Sequence, residues 1–117
     1  METGQWFLDS GASVHCTSDS NLLHDYILMV EPCKLVCTPN GEVLTAVGRG
    51  TLKTERYKIP DVLVVPGVQI NIISAGKLYG EHELSMFYEV GHCSVKDRTG
   101  QEVGWGHLTR NGGCSTI

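Results

Sequence analysis

Lys34-Leu35-Val36-Cys37-Thr38-Pro39-Asn40-Gly41-Glu42-Val43-Leu44-Thr45-Ala46-Val47 is the stretch that decides the fold class. Two β-favouring runs flank an Asn-Gly pair. Both central residues of a type I′ turn need positive φ, which asparagine and glycine tolerate, so the stretch predicts a β-hairpin. Its second arm continues through Gly48-Arg49-Gly50 into Thr51-Leu52-Lys53. Two glycines inside a strand predict a bulge or a close backbone approach.

Outward from the hairpin, short apolar runs keep alternating with turn residues. Residues 5–8 predict a short strand broken by Asp9-Ser10-Gly11, and 12–17 read as extended again. Residues 57–65 predict a strand with Pro60 near its start and Pro66-Gly67 closing it. Further strands are expected over 70–73, 84–90, 93–96 and 102–105, the last two joined by a turn at Asp97-Arg98-Thr99-Gly100. Helix is the exception. Leu22, Leu23, Tyr26, Ile27 and Leu28 recur at intervals of three and four and predict one helical turn. Residues 75–79 predict another, stopped by Gly80. The 14 glycines and four prolines, falling between β-branched runs, place the chain in the all-β class as a barrel or sandwich. At 117 residues the chain suffices for one core and not for two packed lobes. Residues 1–106 are read as that domain and 107–117, with Asn111-Gly112-Gly113, as a loosely ordered tail.

Composition excludes several classes of function. Hydrophobic residues are 41% and charged residues 19%, which argues against a disordered chain. Thirteen acidic against nine basic residues give a net charge of −4, without a basic stripe, so nucleic acid is not expected as a direct partner. No apolar run reaches the roughly 18 residues of a membrane helix, and no signal segment opens the chain. The expectation is a cytosolic or nuclear protein that is neither secreted nor membrane-bound. Five cysteines without framework spacing are expected as free thiols. A strand over 33–37 would hold Cys33 and Cys37 roughly 13 Å apart, too far for one zinc ion, so neither metal nor cofactor is expected.

Trp6-Phe7-Leu8-Asp9-Ser10-Gly11-Ala12-Ser13 delivers a carboxylate from an apolar strand into a tight turn. The carboxylate stands where a rigid core can aim it, the next hydroxyl can brace the loop, and the glycine admits close backbone approach. By itself the tripeptide fits two readings, an Asx turn that closes a strand or the carboxylate turn of an aspartic protease.

The segment Trp6 to His15, then Asp61-Val62-Leu63-Val64-Val65-Pro66-Gly67, then Asn71-Ile72-Ile73-Ser74 and Leu78, resembles the protease region of Ty1/copia-type retrotransposon polyproteins. The order and gaps follow that family over about residues 5–105. The resemblance implies a retropepsin-like closed β-barrel with one short helix, acting as half of a symmetric dimer. It implies an aspartic endopeptidase that cleaves its own Gag-Pol-type polyprotein. Such hydrolysis needs two carboxylates sharing a proton across a water, and one D-[ST]-G turn is present here, so Asp9 would meet its twin at a two-fold axis. Ser10 would brace the paired loops, Gly11 and Ala12 would contact the substrate backbone, and Asn40-Gly41 would tip a flap formed by residues 34–53. Ile73, with Ile72, corresponds to the apolar pair that buttresses the catalytic loop beside substrate, followed by Ser74 where retroviral enzymes carry glycine. Eight residues precede Asp9, so the dimer contact that a terminal sheet makes in retroviral enzymes must come from elsewhere: residues 84–105 are one source, and the alternative is an isolated domain that stays mostly monomeric and inactive.

His15 is expected to be structural. An extended chain would carry it roughly 20 Å from Asp9, and the chemistry needs no imidazole. Asn71 is expected to tie loops together through its amide. A second reading of the whole chain is a catalytically inactive, domesticated domain of the same fold that serves as a protein-binding module.

Overall fold

The computed structural model describes residues 6–9, 11–36, 42–54, 58–108 and 114–116. In chain order these carry β1 (Trp6–Asp9), β2 (His15–Thr17), a 3₁₀ turn (Ser20–Leu22), β3 (His24–Val36), β4 (Val43–Lys53), β5 (Lys58–Val64) and β6 (Asn71–Ser74). The helix α1 (Ala75–His82) follows, then β7 (Ser85–Glu89), β8 (His92–Lys96), β9 (Glu102–Leu108) and β10 (Cys114–Thr116). The fold is mostly β, with one short α-helix among the described residues. Two units divide the chain, one of residues 16–71 and one of 5–15 with 72–117.

In the first unit the strand order is β3-β4-β5-β2. β4 alternates strictly at its centre, burying Ala46, Gly48, Gly50 and Leu52 on one face, the period of two that puts every second residue inward. Leu23, Ala46, Leu52, Ile59, Val62, Val64, Val65 and Val68 are buried there, with Cys16. β3 and β4 are antiparallel arms, as the opening stretch predicts, with Leu35 opposite Leu44 and Val36 opposite Val43. Asn40 and Gly41 themselves lie outside the described residues.

The two strand glycines serve close approach. A Cβ on Gly48 would run into the Tyr26 ring, and one on Gly50 would lie 2.8 Å from Leu23 Cβ. The bulge belongs to the facing strand. Gly50 pairs with Val62 and Leu52 with Ile59, so Pro60 and Asp61 together oppose Thr51. Asp61 takes a left-handed φ of +58° there, and Pro60, which has no N–H to lose, suits such a break in the ladder. The helical turn expected over 22–28 is replaced by the 3₁₀ turn, which Asp19 caps by accepting from Asn21 N–H at 2.9 Å, and by the start of β3. The three-and-four spacing there marks no core stripe, because Ile27 and Leu28 are exposed while Leu23 is buried. Positive φ at Asp25 and two register shifts within β3 scramble the strand's own alternation.

In the second unit the order is β6-β1-β10-β9-β8-β7. Ser74 caps α1 by accepting from Lys77 N–H, and the helix runs through Gly80 to His82 before Glu83 ends it at φ +55°. Gly80 fails to stop it because a glycine inside a helix costs only about 1 kcal/mol. The turn after β8 is built on Asp97, whose carboxylate accepts from the Thr99 hydroxyl at 2.6 Å and from the Thr99 and Gln101 amides. The Thr99 hydroxyl above all holds this exposed carboxyl below the usual aspartate range.

Two expectations are corrected here. Residues 107 and 108 extend β9, and Cys114–Thr116 form β10, inserted between β1 and β9 with Trp6 opposite Thr116 and Cys114 opposite Leu108. These residues of the presumed tail are therefore sheet, because two neighbouring strands supply the hydrogen-bond partners that their own composition does not advertise. Cys93, fully buried, is disulfide-bonded, while Cys16 and Cys33 are thiols. An odd cysteine count rules out only complete pairing, so it never excluded a single bridge.

Candidate active site

β1 buries Trp6 and Leu8 and leaves Phe7 and Asp9 half-buried on the alternate side. The core thus grips every second side chain and presents Asp9 at the strand's end. Immediately after it the chain turns, with Gly11 N–H donating to Asp9 Oδ1 at 2.8 Å and Ala12 N–H to Asp9 O at 3.4 Å. A Cβ on Gly11 would stand 3.3 Å from that same Oδ1. Glycine lets the amide close on the carboxylate without this crowding. A carboxylate oxygen that accepts from a backbone N–H is fixed in orientation and keeps its other oxygen for a further partner.

The turn is held from a distance as well. Ser74 is buried, and its hydroxyl donates to Ala12 O at 2.7 Å while accepting from Lys77 N–H at 3.1 Å. Its own backbone N–H donates to Nδ1 of His15 at 2.9 Å. His15 is completely buried. Because Nδ1 is an acceptor, the imidazole is the neutral tautomer protonated on Nε2. His15 therefore supports the loop, as expected, and its Nδ1 is committed to the backbone of Ser74.

The other sequence-derived residues fall as follows. Gly11 is exposed and Ala12 half-buried beside Asp9. Ile73 is only 3% exposed, so in this chain it presents no surface to a peptide. β6 buries Ile72 and Ile73 in succession. Ser10, Asn40 and Gly41 lie outside the described residues, and the arms of the 34–53 hairpin belong to the first unit. Within that unit Asn71 ties a loop, its Oδ1 accepting from the buried Thr17 hydroxyl at 2.6 Å, while Thr17 Oγ1 accepts from Asp19 N–H at 3.1 Å. Among the described residues no three His, Cys, Asp or Glu side chains gather into a cluster that would hold a metal ion.

Sequence reading missed the double duty of Ser74. One signal for half of it was present: a serine immediately before the helical run 75–79 is a helix N-cap pattern. The bond to Ala12, 62 residues away, has no local signature.

No curated protein and no solved structure matches the chain. Residues 6–83 match the family model described as Pol polyprotein, beta-barrel domain, a span that includes the Asp9 turn, His15, the hairpin and the Ser74 cap. That match covers about two thirds of the sequence, and the chain belongs to the family of Pol polyprotein beta-barrel domains.

Proposed function

We propose that this Pol polyprotein domain is the aspartic endopeptidase of a copia-type retrotransposon, closed into a retropepsin-like barrel and active as a homodimer on its own polyprotein. The observation that carries the reading is the Asp9 turn: a carboxylate at the end of a core strand, aligned by Gly11 N–H at 2.8 Å. In the dimer the Asp9 carboxylates of two copies face each other. Two like charges in contact do not both ionise, so the pair holds one proton. The ionised member takes a proton from water as the water's oxygen attacks the scissile carbonyl, and the protonated member donates to the carbonyl oxygen. The proton count of the pair is thereby conserved, and its titration belongs to both copies jointly. Ser10 braces the paired turns, Gly11 and Ala12 line the peptide backbone, and Asn40-Gly41 tips the flap. No cofactor takes part.

The test is cleavage of a precursor that carries the flanking polyprotein. Asp9→Asn removes the ionisable oxygen at nearly constant volume and is expected to abolish processing while leaving the far-ultraviolet circular dichroism unchanged. At low protein concentration the wild-type rate should rise with the square of concentration. Processing undiminished by Asp9→Asn refutes the reading. A folded wild-type chain that stays monomeric and turns over no peptide at any concentration is the binding module instead.

A further inference from the structure

Three hydrogen-bonding functions of Ser74, its backbone N–H, its hydroxyl proton and its hydroxyl lone pairs, each meet a different neighbour: His15 Nδ1, Ala12 O and Lys77 N–H. Capping α1 uses only the lone pairs. The other two contacts act on one short segment, since Ala12 and His15 stand at its two ends and Ala12 directly follows the glycine whose amide aligns Asp9. With Ser74 1% exposed and His15 0% exposed, water does not compete for either bond. A segment pinned at both ends to one buried residue keeps few alternative conformations. We propose that Ser74 is the positioning residue of the Asp9 turn and that neutral His15 holds Ser74 in place. The catalytic consequence rests on the endopeptidase reading, whereas the positioning stands on geometry alone.

The chemistry of the cap supplies a discriminating variant. Glycine is nearly as good as serine at a helix N-cap, costing only a few tenths of a kcal/mol, but it has no hydroxyl to give Ala12. If Ser74 only caps α1, Ser74→Gly is nearly silent. If Ser74 positions the turn, Ser74→Gly releases Ala12 O, and Ser74→Thr, which restores the hydroxyl, rescues it.

The experiment uses the full chain. It reads the Asp9 carboxyl carbon and the Gly11 amide by NMR, with the Val95 and Leu84 methyl signals reporting the intact core, and measures kcat and KM on a precursor peptide. Ser74→Gly is expected to shift and broaden the Asp9 and Gly11 signals. It is also expected to lower kcat on the order of 100-fold, the effect of misplacing a reacting group by about 1 Å, with KM within about twofold. Ser74→Thr returns both to wild type. Wild-type Asp9 and Gly11 signals in Ser74→Gly overturn the proposal, as does failure of rescue by threonine in a chain whose methyl signals are native. A wild-type chain that cleaves nothing sinks the endopeptidase reading, and the NMR comparison still decides the positioning. If Ser74→Gly does not fold, a second pair decides. His15→Asn keeps an acceptor near the Nδ1 position and should preserve the Gly11 signal, His15→Leu has none and should lose it, and equal signals in both overturn the proposal.

Discussion

Gly48→Ala opposes two effects of different sign, and the structure says which wins. Alanine in a strand is favoured over glycine by about 0.5–1 kcal/mol, because glycine loses more backbone freedom on folding. Against this, the added Cβ would stand 2.5 Å from Tyr26 Cε1 and 2.6 Å from Cζ, where ordinary contact begins at 3.4 Å. An overlap of this size moves the ring, which lies half-buried across β4, and overpacking of a formed contact costs about 1–3 kcal/mol. The net expectation is destabilisation by about 1–2 kcal/mol. In urea denaturation, with a slope of about 2 kcal/mol/M for a chain of this size, the midpoint falls by roughly 0.5–1 M. The decisive measurement is the same substitution in a Tyr26→Ala background. There the clash is gone and only the backbone term remains, so Gly48→Ala should stabilise by about 0.5–1 kcal/mol. A sign that does not reverse between the two backgrounds, or a neutral Gly48→Ala with Tyr26 present, refutes the close-approach account of this glycine.

Thr17→Val removes the hydroxyl that bridges Asn71 and the Asp19 amide. Asp19 is exposed, so water replaces that bond, and the loss should be the Asn71 contact, about 1–2 kcal/mol by urea denaturation, with Thr17→Ser close to wild type. Alkylation of the native chain should modify exposed Cys33 readily, buried Cys16 only on unfolding, and Cys93 only after reduction and unfolding, with peptide mass spectrometry as the readout. Asp97 should titrate below an ordinary aspartate, and Thr99→Ala should raise it, since the Thr99 hydroxyl is its largest stabiliser. A folded-state pKa that is depressed stabilises the turn above the unfolded value, and the contribution disappears as pH falls through the folded value. Amide exchange at Thr99 and Gln101 across that acidic window measures it.

Elements whose signals are local were legible from sequence. The Lys34 to Lys53 hairpin announces itself through two β-favouring runs flanking Asn40-Gly41, and β4 alternates at its centre because both of its ladders are formed. Asp9 at a strand end was legible because the apolar run Trp6-Phe7-Leu8 is broken at Asp9-Ser10-Gly11. What stayed hidden depends on partners distant in sequence. Cys114–Thr116 is a strand only because β1 and β9 flank it, and residues 22–28 look helical by spacing although Asp25 and two register shifts break the strand's alternation. Pro60-Asp61 reads as a strand start, yet it is the bulge against Thr51, which only the register of the facing strand reveals. The Cys93 bridge is hidden from any argument based on parity.

The Asp9 turn was ambiguous in sequence between a strand-closing Asx turn and a carboxylate arranged for chemistry, and the Gly11 hydrogen bond alone does not separate them. An Asx turn needs nothing beyond its own four residues, since the side chain and amide that close it are two positions apart. Here the carbonyl that follows the glycine is also bound by a buried hydroxyl, and the imidazole three residues further on accepts from the same serine's backbone. Ordering these groups costs conformational entropy that a surface turn has no need to spend. Burying His15 Nδ1 and the Ser74 hydroxyl adds a desolvation cost that the hydrogen bonds they make offset. In the proposed dimer this arrangement sets the direction of the Asp9 carboxylate, the property that two carboxylates must share if they are to meet across one water molecule.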